Sequence, residues 1–439
     1  MRSARLALSV SAAVVAALFL APAASATEGM FQHAYGLRHK ALAGAGAASS
    51  EDATAISINP AGLVDVGDQF NMGLSIFMPF RKYTGTGTSV IDTGTHKSTG
   101  NVWPAPTLAY SRQIDANSAF AFSIFGNGGM NTTYKAFTRN NPCPAVPSST
   151  NTGPFCNGKA GVDLMQMFVS AAYARRFGDR FSLGVAPIFA VQRFKAYGLQ
   201  PFADFGYSAY PTRFSNNGYN WSVGGGVRLG LTFKPTDRLS FGASYQTRIW
   251  MTDLKKYKGL FAEKGNLDIP ANLQVGLAYK VTDDLKVMVD YRHIFNEDVK
   301  AIGGTSVYDG VHKFGTDAGP GFGWRDTNTI KFGIEYQASE DLILRAGYAY
   351  VWPVPMRSTD TAINIISPGV IRHEFTGGGT YRWNANNDID FAFLIAPTGK
   401  QSGTVPPIYG GGTSTLKMYQ FEVSFGWTYN FGAGSKRAR

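Results

Sequence analysis

The chain has 439 residues, of which 44% are hydrophobic, 13% aromatic and only 16% charged, with 51 Gly, 31 Phe and 21 Tyr. That balance is far from a helical enzyme and suits strands with one apolar and one polar face. The formal charge of +11, in an exported chain, points to anionic lipid headgroups as partners and away from nucleic acid.

At the N-terminus, Arg2 and Arg5 precede the apolar run from Leu6 to Leu20, and Ala24-Ser25-Ala26 supplies small residues at a cleavage site. Residues 1–26 are therefore expected to be a secretory signal, since the run is shorter than the roughly 20 residues of a spanning helix. No later stretch is continuously apolar over a spanning length, so a membrane could be crossed only by strands.

Residues 27–68 do not alternate, are rich in Ala and Gly, and stop at Ile58-Asn59-Pro60-Ala61-Gly62-Leu63. They predict a small compact segment ahead of a barrel. From residue 69 onward alternating segments come in pairs, joined by six short polar turns and separated by seven long polar loops, which makes fourteen strands. The expected strands are 69–80, 102–112, 118–126, 165–177, 181–195, 220–234, 239–251, 270–281, 285–296, 327–338, 342–352, 374–383, 388–397 and 418–431. Outer-membrane barrels keep short turns in the periplasm and long loops outside, so the fold class is an all-β, antiparallel transmembrane barrel over 69–431. Its clearest strand runs from Tyr419 to Phe431, where every second residue is large and apolar, and a basic tail, 432–439, follows.

Within the third strand, alternation fails at Phe125-Gly126-Asn127-Gly128-Gly129-Met130. Gly126, Gly128 and Gly129 mark either a bulge or inward bend, or simply the start of the next loop. That loop holds Cys143 and Cys156, the only two cysteines. In an oxidising compartment a disulfide closing a short loop is the natural reading, worth about 3 kcal/mol in the chain-entropy account. The six histidines are scattered singly, so no metal or cofactor is expected.

Inward-facing charges include Arg228, Arg248, Asp290, Arg292, Lys331, Glu335, Arg345, Asp390 and Glu422. Lumen charges are costly alone and should pair. Arg248, Arg292 and Lys331 fall in the upper half, where a substrate carboxylate would arrive. Apolar residues at inward or loop positions, among them Phe125, Met130, Phe202, Trp250 and Phe261, either line a greasy pocket or pack the plug and loops.

The run Gly36-Leu37-Arg38-His39-Lys40-Ala41-Leu42-Ala43-Gly44-Ala45-Gly46-Ala47, then Glu51-Asp52-Ala53 and Asn59-Pro60-Ala61-Gly62-Leu63, resembles the N-terminal hatch of the FadL-like long-chain fatty acid and hydrocarbon transporters. The resemblance extends to strand count, loop asymmetry, Asn266-Leu267-Asp268-Ile269-Pro270-Ala271 and Arg345-Ala346-Gly347-Tyr348-Ala349-Tyr350. It implies a monomeric barrel in the outer membrane of a Gram-negative bacterium, surrounded by lipid and lipopolysaccharide. Its lumen would be stoppered by residues 27–68 and fixed by Asn59, Pro60 and Ala61. Such a barrel passes hydrophobic small molecules without energy input, and a kinked third strand opens its wall toward lipid. One departure is that the final aromatic, Phe431, is followed by Gly432 to Arg439.

Motifs of nucleophilic, zinc and phosphate-binding enzymes are missing: there is no Gly-x-Ser-x-Gly, and His373-Glu374 lacks a second histidine, so no enzyme is expected. The competing reading is a general polar porin or an adhesion barrel with no hydrophobic substrate, which an open, ion-conducting lumen would distinguish.

Overall fold

In the computed structural model, which describes residues 28–431, one antiparallel sheet closes on itself. The expected signal segment 1–26 and tail 432–439 lie outside the described residues. The strands are β1 Gln69–Thr86, β2 Trp103–Asp115, β3 Ser118–Tyr134, β4 Ala160–Phe177, β5 Phe181–Tyr197, β6 Asn220–Phe233 and β7 Leu239–Gln246. They continue as β8 Asn272–Lys280, β9 Leu285–Ile294, β10 Thr327–Gln337, β11 Leu342–Trp352, β12 His373–Arg382, β13 Asn387–Thr404 and β14 Thr413–Asn430. Each pairs with its sequence neighbour, and β14 returns to β1 from Asn430↔Gln69 to Thr413↔Thr86, closing a barrel of 14 strands. Two short additions, Gly94–Lys97 on β1 and Trp250–Met251 on β6, do not circle the wall.

Alternation explains the wall. Along β14, Tyr419, Phe421, Val423 and Phe425 are exposed while Gln420, Glu422 and Ser424 are buried. The apolar face is outside and the polar face inside, the arrangement that lipid permits and water does not. Aromatic neighbours reinforce the outer face, as where Phe80 stacks on Tyr419 at 4.8 Å.

The strands differ from expectation chiefly at their extracellular ends, where β1, β3, β13 and β14 run several residues further. There the ladders are built largely from Thr, Ser, Gly, Asn and Lys, whose backbones pair but whose side chains give no alternation of hydropathy. The expected strand 239–251 is interrupted: β7 stops at Gln246, and only Trp250–Met251 rejoins β6.

Residues 28–66 fold inside the barrel as a short helix α1, Leu37–Ala41, and two 3-10 turns, Ala53–Ser57 and Pro60–Asp65. The turns start where side chains cap them: Asp52 accepts from Thr54 N at 2.8 Å, and Asn59 from Ala61 N at 3.1 Å, with Pro60 at the first position. Nearly all of this segment is buried. Two wall glycines admit it, because a Cβ on Gly184 would strike Pro60 and Ala61, and one on Gly230 would strike Asn59.

Candidate functional site

Asn59 ties the plug to itself and to the wall. Its side-chain amide donates to Ala47 O at 2.6 Å and to Leu231 O of β6 at 2.9 Å, while its oxygen caps the following turn. Replacing Asn59 by Ala removes the donor to one buried and one half-buried carbonyl together with a cap, so a loss of about 1–3 kcal/mol in plug stability is expected. Thermal unfolding and single-channel conductance of the purified barrel check this, and unchanged values in both would refute the anchoring role.

The charged lumen is paired mainly with the plug. Arg38 binds Asp390 and Asp388, each at 2.9 Å, and Lys40 binds Glu422 at 2.7 Å. Asp290 accepts from the backbone of Gly46 and Ala47 at 3.0 and 2.8 Å, and Lys286 bridges Glu51 and Glu335 at 2.7 and 2.8 Å. Arg292 and Lys331 do meet, but around Glu28, which takes Arg292 Nη1 at 2.9 Å and Lys331 Nζ at 2.6 Å. Lys331 also donates to His33 O at 2.7 Å. All three side chains are buried. The positions expected to receive a substrate carboxylate are thus occupied by a carboxylate of the protein's own.

Arg248 is elsewhere. It faces Asp268 at 3.9 Å and donates to Asp298 O, both in extracellular loops. Burial raises the Asp268 carboxyl above the ordinary range, against the Met251 amide that donates to it at 2.7 Å. Trp250 points outward and is 60% exposed, in register with Gly225 on the face that carries Trp221 and Val223. The break after Gln246 shifts the phase of alternation, which is why counting along an unbroken strand turned Trp250 inward.

β3 changes character at its glycines. Gly126 pairs with Met167 and Gly128 with Gln166, leaving Asn127 as the extra residue of a bulge, and Gly128 has φ 153°. Below the bulge β3 pairs with β2 from Asp115↔Ser118 up to Thr107↔Phe125; above it the pairing with β2 ends, while Trp103–Pro106 of β2 pair only with β1. From Ser123 to Thr132 every β3 residue is buried, so the strand has left the lipid-facing surface. Upper β2 and upper β3 are therefore not paired with each other over this stretch, until Thr99 N donates to Thr133 O at 2.8 Å above it. The plug's first residues fill the abandoned edge: Gly129 N donates to Met30 O at 3.0 Å, Gln32 N to Asn127 O at 3.1 Å and Gln32 Nε2 to Gly126 O at 2.6 Å. Unpaired strand edges inside a protein need such partners.

Above the bulge the extracellular loops close over a narrow apolar pocket, with room for the centre of a water-sized sphere to move through about 30 Å3, walled by Phe155, Phe202, Phe214, Phe261, Phe314 and Phe322 with aliphatic neighbours. No charged side chain lines it among the described residues. Phe155 is held beside Cys156, which is disulfide-bonded to Cys143 with 5.7 Å between Cα atoms. Ile366 forms part of this pocket and also of a smaller cleft bordered by Gly129, Met130 and Thr132 of β3. Met130 therefore lies at the cleft, whereas Phe125 sits lower, packed 4.7 Å from Tyr35 of the plug.

Residues 12–404 match the family described as Outer membrane protein transport protein (OMPP1/FadL/TodX). The chain belongs to this family. Among its relatives is a putative outer membrane protein of Neisseria meningitidis serogroup B, 24% identical over 89% of this chain and 92% of that one. Among solved structures, the Pseudomonas putida toluene transporter TodX superposes with a TM-score of 0.69 at 19% identity, covering 92% of this chain and 99% of the other. A FadL homologue of Pseudomonas aeruginosa gives 0.66 at 16% identity, over 92% of this chain and all of that one. The protein is thus an outer-membrane barrel of the OMPP1/FadL/TodX type.

In this OMPP1/FadL/TodX chain, sequence reasoning missed Glu28 and most of the aromatic pocket. Glu28 gives no periodic signal, but Arg292 and Lys331 both needed an acid, and Glu28 is the first one after the expected cleavage site. Phe155, Phe314 and Phe322 lie in long loops where spacing carries no information.

Proposed function

We propose that the chain admits uncharged hydrophobic molecules, small aromatic hydrocarbons in particular, by diffusion through the plugged barrel with exit sideways through the wall. The wholly apolar, aromatic-walled pocket carries this reading, because a carboxylate placed there would be buried without a partner. Ile366 supports a path from the pocket to the cleft at Met130. The end of β2–β3 pairing at the bulge, where only the strap Met30–Gln32 holds the edge of β3, supports a sideways exit, which spares an apolar solute the water of the periplasmic end. The description of TodX and of TbuX from Ralstonia pickettii as toluene transporters agrees with the choice of cargo. We infer a monomer, with transport and not catalysis as its role, set in lipid and lipopolysaccharide.

Binding of toluene and of a medium-chain fatty acid to the purified barrel tests the reading. Toluene is expected to bind, and the double replacement of Phe202 and Phe261 by Ala should weaken it about tenfold, corresponding to roughly 1.4 kcal/mol of lost ring contact. Tight binding of the fatty acid that collapses on Arg248→Ala would instead favour a carboxylate cargo held at the loop arginine. Failure of both ligands to bind would overturn the hydrophobic-transport reading.

A further inference from the structure

The outer face of β5 changes abruptly from apolar to cationic. Leu183, Val185 and Phe189 are exposed on it, and the same face continues upward as Arg193, Lys195 and Tyr197. Arg193 stands opposite Trp221 of β6, itself half exposed, and Lys195 opposite Asp163 of β4. Since β4 and β5 are joined by a short turn, their far ends lie on the extracellular side. The change occurs where aromatic residues border the membrane, at the height of the outer-leaflet headgroups.

Three cations crowd around two rings there, and a fourth stands beside them. Arg193 lies 4.7 Å and Lys195 Nζ 4.2 Å from the centre of the Tyr219 ring; Lys195 is also 5.5 Å from Tyr197, and Lys159 approaches that ring at 5.0 Å. Lys256 Nζ donates to Tyr219 O at 2.9 Å. Asp163 is the one carboxylate among them, opposite Lys195, and it accepts from Tyr219 OH at 2.5 Å and Asn131 Nδ2 at 2.9 Å. Among the described residues none of the four cations forms an ion pair, and Arg193 Nε is buried without a hydrogen-bond partner. Four cations against the single carboxylate of Asp163 leave a surplus of positive charge that a further anion would offset.

We propose that this patch binds the phosphorylated sugar headgroup of a lipid A-type glycolipid in the outer leaflet. Arg193 and Lys195 hold phosphate, as guanidinium and ammonium groups do. Trp221 and the apolar residues below them meet the acyl chains. The site is on the lipid side of the wall and is independent of what passes through the lumen.

Native mass spectrometry of the detergent-purified barrel with diphosphorylated lipid A tests it. Wild type is expected to carry a lipid A adduct that fully dephosphorylated lipid A does not give. Arg193→Gln/Lys195→Gln should weaken the adduct at least about tenfold, each lost charge-assisted contact being sufficient for that. Folding of the variant is read from its heat-modifiable gel mobility, and if it is not folded, Lys195→Gln alone is used. Equal adducts in wild type and variant, equal binding of the dephosphorylated lipid, or equal binding of phosphatidylglycerol would each overturn the proposal.

Discussion

Glu28→Ala is expected to release the first residues of the plug from the barrel wall. Glu28 is the shared partner of Arg292 and Lys331, and all three are buried. Removing one member of a buried charge cluster leaves the others uncompensated, a penalty of about 3–5 kcal/mol. The strap Met30–Gln32, held on β3 by three hydrogen bonds, would no longer be fixed at its start. Planar-bilayer recordings should then show raised and noisy ion conductance where wild type is nearly closed. Glu28→Gln, which keeps the shape but not the charge, should act in the same direction. Wild-type conductance and unchanged protease resistance of the strap in both variants would mean that Glu28 does not secure it.

Deleting Asn127 should abolish uptake of a hydrocarbon while leaving its binding in place, if cargo leaves beside β3. The deletion removes the one unpaired residue of the bulge and allows Gly126 and Gly128 to continue a regular ladder with β4. Replacing Gly126, Gly128 and Gly129 together by Val should stiffen the same segment, with added strain at Gly128, whose φ is 153°. With that edge paired and the proposed sideways route shut, an aromatic solute of roughly 150 Å2 has to cross water, which costs about 4 kcal/mol and slows transfer by two to three orders of magnitude. Uptake by reconstituted vesicles and equilibrium binding separate the two effects. Transport at the wild-type rate in both folded variants would remove the sideways route from consideration.

The wall was readable because lipid imposes a strict two-residue rule on every spanning segment, and Tyr419 to Phe431 obeys it throughout. Short turns between such segments fixed the number of strands and their direction. Where lipid no longer acts, the rule lapses: the outer halves of β1, β13 and β14 are ordinary polar ladders, and the phase slip after Gln246 reversed the facing of Trp250. The lumen was legible only in part. Its inward charges could be counted, yet their partners lay in the plug, a segment with no period to say which way Arg38, Lys40 or Glu28 would point. The pocket was the least accessible, since Phe155 and Phe322 are brought together by loop folding alone.

The pocket's walls come from five separate extracellular loops, 135–159, 198–219, 252–271, 295–326 and 353–372, with Val162 of β4 as the exception. The wall strands and the plug, by contrast, are locked by reciprocal charges that a single replacement would unbalance. On the proposed reading the cargo meets loop residues for the most part, whereas wall and plug supply the architecture. If that reading holds, exchanging these loops between such barrels should change the cargo while leaving the scaffold in place.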